Sequence, residues 1–182
     1  MARAAEMRGA EVTLVTGPSA LATPFNVRVI PVTSAAEMAK AVLDRLDDSD
    51  IIIKSAAVAD YRPVSAAVHK IKKNQAEQTL TLERTQDILK IVGQRKSKQV
   101  LVGFAAETQH LDENAAEKLR AKNLDMLVGN LIGAAGAGFG TDTNQVTLYF
   151  KDGSTEALAR MPKSDLAHVI LDRVVGLMPQ CV

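Results

Sequence analysis

Short runs of β-branched and aliphatic residues alternate with amphipathic helical segments along nearly the whole chain, and few folds tolerate that alternation. Glu11–Val15, Val27–Val32, Asp50–Lys54, Gln99–Gly103 and Asp125–Gly129 read as buried strands. Between Val32 and Asp50, Ser34 stands as a helix N-cap with Glu37 three residues on, followed by Met38, Val42, Leu43 and Leu46 on one face. Asp87 opens a second helix, Ile88–Val92, and Asp112–Lys122 carries Leu111, Ala115 and Leu119 at spacing four. Strands that are apolar throughout and separated by such helices describe a parallel sheet covered on both faces. The predicted fold is therefore α/β, a Rossmann-like open parallel sheet.

Two stretches depart from this rhythm. Leu80–Arg84 alternates with period two and reads as one arm of a hairpin. Gln145–Phe150 and Thr155–Leu158, joined across Asp152-Gly153, form a clearer hairpin, an extension covering about residues 145–160. Ser164 and Asp165 then cap a last helix, Leu166–Leu177. Residues 1–10 read as the back half of a helix ending at Gly9 and running directly into a strand. A doubly wound sheet opens with a strand and a glycine-rich turn, so the expectation is that both are missing and the chain is truncated. No repeat or linker divides the sequence, which is expected to form one domain over 1–182.

Composition narrows the function classes. The 182 residues carry 22 Lys and Arg against 21 Asp and Glu, a net charge of +1, and no Trp, so a nucleic-acid grip is not expected. The longest uncharged stretch, Met126–Thr141, contains five glycines and is too short and too interrupted to span a membrane. A single cysteine, Cys181, permits no internal disulfide. With no apolar signal core near the N-terminus, a cytoplasmic location is expected.

In an open α/β sheet ligands bind beyond the carboxyl ends of the strands. There Ala56-Ala57 and Ala105-Ala106 are each followed by a carboxylate, Asp60 and Glu107. Small side chains at such positions either pack under a crossing helix or let a ligand approach the backbone. Lys70, Lys72 and Lys73 concentrate three ammonium groups, suited to a polyphosphate or to a solvated hairpin base. Lys118 and Lys122 form a like-charge i,i+4 pair, mildly unfavourable without an anion between them. Lys118 has no acid at i±3 or i±4, whereas Lys122 can reach Asp125. Gly133–Gly140 is glycine-rich but precedes a strand rather than opening a helix, so it is no dinucleotide fingerprint. His69, His110 and His168 show no ligand spacing, and no nucleophile–base pair is evident. Lysines and acids around a strand-end cleft suit phosphoryl or nucleotidyl chemistry, in which positioning and charge neutralisation carry most of the catalysis.

Ala56–Pro63, Lys70–Lys73, Gly103–Thr108, Lys122–Asn130 and Phe139–Asn144 stand in the order and spacing of one family. From about residue 2 to residue 175 the chain resembles phosphopantothenoylcysteine synthetases, also called phosphopantothenate-cysteine ligases, the ligase domain of bacterial bifunctional coenzyme A biosynthesis proteins. The resemblance implies an enzyme that uses CTP and Mg²⁺ to convert 4'-phosphopantothenate to an acyl-cytidylate, releasing pyrophosphate; L-cysteine then displaces CMP. It implies Lys70 as the catalytic cation on the triphosphate, Asp60 as a nucleotide contact, and Ala56 and Ala57 as the pocket floor. Gln86, Asp87, Ile88, Leu89 and Phe104 would surround the cytidine, Lys118 and Lys122 would complete the nucleotide site, and Asn130 and Asp142 would lie near the cleft. The metal ligands are unknown. The family supplies an upstream glycine-rich turn and an Asn that holds the acyl intermediate, and the expectation is that this segment is missing here. A homodimer built through hairpins like 145–158 is implied, as is a flavin-dependent decarboxylase partner domain. The decarboxylase itself is disfavoured because its His and Cys motifs are absent, and a nicotinamide-binding oxidoreductase because the glycine fingerprint is. The remaining alternative is a nucleotide-binding and dimerisation fragment without full activity.

Overall fold

A computed structural model describes residues 1–65, 79–107, 111–131 and 142–179. Its elements run α1 (Ala2–Glu6), β1 (Thr13–Thr16), β2 (Arg28–Pro31), α2 (Ala35–Leu43), β3 (Ile51–Lys54), β4 (Tyr61–Pro63) and β5 (Leu82–Arg84). There follow α3 (Ile88–Arg95), β6 (Val100–Glu107), α4 (Leu111–Ala121), β7 (Met126–Leu131), β8 (Thr143–Asn144), β9 (Thr147–Phe150), β10 (Thr155–Ala157), β11 (Met161–Pro162) and α5 (Lys163–Gly176).

The main sheet has the order β10-β9-β7-β6-β3. β3, β6 and β7 are parallel, and the predicted hairpin joins them antiparallel through β9, so the sheet is mixed at one edge. Gly153, in the turn between β9 and β10, takes a φ of +90°, which the Asp-Gly pair anticipated. β1 and β2 form a separate parallel pair. A cavity of about 190 Å³ lies between β1 and β3, bounded by Leu14, Val15, Met38, Val42, Ile52 and Ile53.

Both faces of the main sheet are covered, as the unbroken apolar strands required. Alternate residues divide between two cores: Ile52, Leu101 and Leu127 face α2, α3 and α4, whereas Val100, Val102, Met126, Val128 and Leu148 face α5. Ala4 of α1 packs with Ala167 and Leu171 of α5 in a third, smaller cluster. Gly9 follows α1 with a φ of +83°, and the Ala10 N–H donates to the Ala5 carbonyl, which ends the helix where the glycine was expected to.

The predicted caps hold for two helices. Ser34 accepts from the Glu37 N–H at 3.2 Å while Glu37 accepts from the Thr33 N–H at 2.7 Å, so both orphan donors are met. Asp87 accepts from the Lys90 N–H at 3.1 Å. The last helix differs from expectation: α5 starts at Lys163 behind Pro162, without a side-chain cap, and the Ser164 hydroxyl bonds Asp165 instead. Its cause is β11, which delivers the chain directly into the helix and holds the Lys163 N–H on the Asp142 carbonyl at 2.9 Å. The strand at Gln99–Gly103 is also longer than predicted, because Phe104–Glu107 continue to pair with β7. Leu80–Arg84 contributes β5, whose partner arm is β4. Among the described residues no helix is long and apolar enough to cross a membrane.

Candidate active site

The carboxyl ends of β3, β6 and β7 bring together residues far apart in sequence. β3 ends at Lys54, and the chain turns out through Ser55-Ala56-Ala57. Ala56 and Ala57 are exposed, so they do not pack under a helix and can serve as the floor of a cleft. Of the second alanine pair, Ala105 is buried in the core and fits the packing alternative, while Ala106 is exposed.

Asp87, at the N-terminus of α3, meets Lys122, just past the end of α4, with Nζ to Oδ2 at 2.9 Å. Burial alone would raise the Asp87 carboxyl, but the hydrogen bonds from Lys122 and the Lys90 N–H outweigh it and hold the group below its ordinary value. Lys118 pairs with Glu107, which also receives the Asn114 amide at 3.4 Å. Two sequence expectations are thereby corrected. Lys118 does have an acidic partner, supplied by a neighbouring strand rather than by its own helix. Lys122 reaches Asp87 and not Asp125, because Asp125 is taken by Lys96 and the Leu101 N–H. Each lysine of the like-charge pair therefore has its own carboxylate.

The remaining expected residues divide. Asp60 is exposed and makes no ion pair with a described residue; its carbonyl accepts the Thr85 N–H at 2.9 Å, tying the Ala56–Asp60 turn to the segment that leads into α3. Gln86 and Ala57 line a cleft of about 460 Å³ with Ser34, Tyr61, Arg62 and Arg84. The Arg84 guanidinium lies over the Tyr61 ring at 5.9 Å. Ile88 and Leu89 are buried in the core beneath α3, so only their backbone is available to a ligand. The Phe104 ring packs into the core beneath α5, on the sheet face opposite α3. Asn130, at the end of β7, has a buried Oδ1 that accepts no hydrogen bond from a described residue. Asp142 lies beside β8 and the start of α5, where its carbonyl accepts from Lys163. Lys70, Lys72, Lys73, His69, His110 and Gly133–Gly140 fall outside the described residues, as does Cys181.

Sequence reasoning missed Lys54. This half-buried ammonium ends β3 and donates to the Ala56 carbonyl at 2.8 Å. Burial first, then the charge of Lys122, lowers its pKa, while Asp87 and Asp60 act in the opposite direction. The available signal was a charged residue closing the apolar run Ile51–Ile53.

Among the described residues no group of three or more His, Cys, Asp and Glu could hold a metal by itself. Mg²⁺ is commonly bound through one or two carboxylates together with substrate phosphates, and the exposed Asp60 carboxylate, between the cleft-lining Ala59 and Tyr61, fits that mode.

An open α/β sheet with ion-paired lysines and exposed alanines at its strand ends defines the chain as a doubly wound domain whose cleft can receive an anionic ligand. The particular family follows from comparison: the chain belongs to the DNA/pantothenate metabolism flavoprotein C-terminal domain family, whose model matches residues 1–178. It is 50% identical over 181 residues to the coenzyme A biosynthesis bifunctional protein CoaBC of Bacillus subtilis (strain 168), covering 99% of this chain and 45% of that protein. It is 41% identical over 180 residues to a cysteine/cysteine sulfinic acid decarboxylase from an unknown prokaryotic organism, covering 98% of this chain and 50% of that protein. The crystal structure of the C-terminal domain of a coenzyme A biosynthesis bifunctional protein CoaBC superposes with a TM-score of 0.80 at 42% identity, covering 95% of this chain and 77% of that one. The chain thus spans about half the length of these two curated relatives.

Proposed function

We propose that this domain joins 4'-phosphopantothenate to L-cysteine, using CTP to activate the carboxylate. The observation that carries the reading is the Lys118–Glu107 and Lys122–Asp87 arrangement at the strand ends, in a chain that matches the CoaBC C-terminal domain over nearly its whole length. The decarboxylase name among the relatives belongs to a protein of which this chain covers only half, so it does not assign that chemistry to these residues.

In the first half-reaction a carboxylate oxygen of phosphopantothenate attacks the α-phosphorus of CTP. The α–β phosphoanhydride bond breaks, and pyrophosphate leaves with its electron pair. In the second, the cysteine amine attacks the acyl carbon, the acyl–oxygen bond to CMP breaks, and the amine loses a proton. Both steps depend on neutralising negative charge where it accumulates, which positioned cations supply at no reorganisation cost. Lys122 and Lys118 serve the nucleotide phosphates from the α4 side, each held in place by a carboxylate until the ligand arrives. Lys70 neutralises the triphosphate during activation. Exposed Ala56 and Ala57 allow the nucleotide to approach the backbone, and the backbone at Gln86–Leu89 borders the cytidine, with Phe104 contributing through its main chain. The Asn130 Oδ1, which has no partner among the described residues, receives an N–H of the substrate. Asp60 would help to hold Mg²⁺ beside the nucleotide phosphates, where the ion would supply further charge neutralisation.

The domain functions in this reading as a homodimer beside a flavin-dependent decarboxylase domain. Calorimetric titration with CTP and Mg²⁺, set beside ATP, tests the assignment. Binding selective for CTP is the expected result, and equal or absent binding of both nucleotides overturns it. Pyrophosphate release without amide formation would identify a nucleotide-binding fragment rather than a complete ligase.

A further inference from the structure

Lys54 differs from the other described lysines at the strand ends in having no carboxylate of its own. Its ammonium is half-buried and makes one hydrogen bond, to the Ala56 carbonyl at 2.8 Å, which leaves two of its three N–H donors without a described partner. No described Asp or Glu lies within ion-pair distance. Asp87 is engaged by Lys122, and Asp60 stays at longer range.

A partly desolvated cation without a counter-charge is costly to hold, and the cost rises with a second cation nearby. Lys122 is that second cation, close enough to disfavour the charged form of Lys54. The pairing register deepens the contrast. Lys54 is opposite Gly103 on β6, so its own strand neighbour offers neither a side chain to shield it nor a group to satisfy it. An arrangement of two cations with one dedicated carboxylate, beside the exposed Ala56-Ala57 backbone, lacks one anion.

We propose that Lys54 is a phosphate-binding residue of the strand-end cleft, donating from β3 to a polyphosphate group that Lys122 contacts from the end of α4. Its hydrogen bond to Ala56 fixes the ammonium over the pocket floor, so the ligand's phosphate completes its coordination instead of recruiting it from solvent. The inference rests on the nucleotide reading given above and adds a binding residue to it.

The test uses inorganic tripolyphosphate, which lacks base and sugar and so reports the phosphate contacts alone. Titrated calorimetrically, Lys54→Gln should bind it at least about tenfold more weakly than the unmodified chain, because a charge-assisted contact is lost, and Lys54→Arg should recover most of the affinity. Protection in the unmodified chain gives a second readout that no folding defect can confuse. Saturating tripolyphosphate should slow acetylation of Lys54 by acetic anhydride several-fold, read by mass spectrometry, and leave the exposed Lys98 unaffected. Tripolyphosphate binding by the unmodified chain with Lys54→Gln equally tight, or with Lys54 acetylated at an unchanged rate, overturns the role of Lys54 and spares the nucleotide site. Absence of both tripolyphosphate and CTP binding in the unmodified chain overturns both.

Discussion

Lys122, one residue beyond α4, holds the Asp87 carboxylate that caps α3, with Nζ to Oδ2 at 2.9 Å. One carboxylate therefore has two tasks, since its other oxygen accepts from the Lys90 N–H. The two tasks separate on substitution. Asp87→Asn keeps a cap acceptor and discards the charge, whereas Asp87→Ala discards both. At neutral pH the Ala variant should lose about 1 kcal/mol and the Asn variant less, measured by urea unfolding. Because the folded state holds Asp87 below its ordinary value, its charge contributes stability above the unfolded carboxylate pKa, and that contribution fades as pH falls through the folded value. The advantage of the unmodified chain over Asp87→Asn should accordingly be present at pH 7 and shrink in the acid range below about pH 4.

Lys96 is the most enclosed cation of an ion pair among the described residues, its side chain 6% exposed against Asp125. Removing one partner of a buried pair leaves a charge without compensation. Lys96→Ala should destabilise the chain by about 3 kcal/mol. The double variant Lys96→Met/Asp125→Asn should recover part of the loss, and a double-mutant cycle in urea checks the coupling.

Tyr149 is buried on the α4 side of the sheet and donates to Asp112 Oδ1 at 2.6 Å. Burial first, then the Asp112 carboxylate, pushes its phenol up to about 12. A phenol whose pKa is raised on folding adds stability that is complete below the unfolded value and is lost as pH rises toward the folded one. Ultraviolet titration should show a late phenolate step near pH 12 that disappears in Tyr149→Phe. At neutral pH that variant should cost about 1 kcal/mol for the lost hydrogen bond.

Gly93 occupies the contact between α3 and the end of α4. A Cβ added there would stand 1.9 Å from the Lys122 carbonyl oxygen, a backbone atom that cannot turn aside. Asn123, at a φ of +47°, locks the same junction by donating its side-chain amide to the Gly93 carbonyl at 2.9 Å. Gly93→Ala should destabilise by about 2–4 kcal/mol, and because the displaced backbone carries Lys122 it should also weaken the CTP binding proposed above.

Much of this architecture was legible because parallel strands buried on both faces leave a dense local signature. The runs at Ile51–Ile53, Val100–Val102 and Met126–Val128 needed no partner to be read, and Ser34 and Asp87 cap through bonds three residues away. The errors came where the decisive contact is remote. Glu107 is eleven positions from Lys118 and lies on a strand, so the spacing within one helix turn shows no partner for Lys118. The continuation of β6 through Phe104–Glu107 depends on β7, which no local pattern in those residues announces. Ser164-Asp165 has the composition of a cap but stands inside a helix that β11 has already begun. Lys54 presents a related difficulty: in the sequence it only closes a strand, and beyond Ala56, two residues on, its charged surroundings, Lys122 and Asp87, come from two remote segments.

Among the described residues the parallel pair β1–β2 is a two-stranded sheet of its own, separated from β3 by a cavity. Half of the main-chain amides of β1 therefore have no ladder acceptor to leave, and opening this pair requires breaking only one row of bonds. In amide exchange, β1 and β2 should lose their protons as one cooperative unit well before Leu101, Val128 and Leu148, whose strands are held on both sides. The segment before residue 35 should therefore open at a lower free energy than the main sheet, and independently of it.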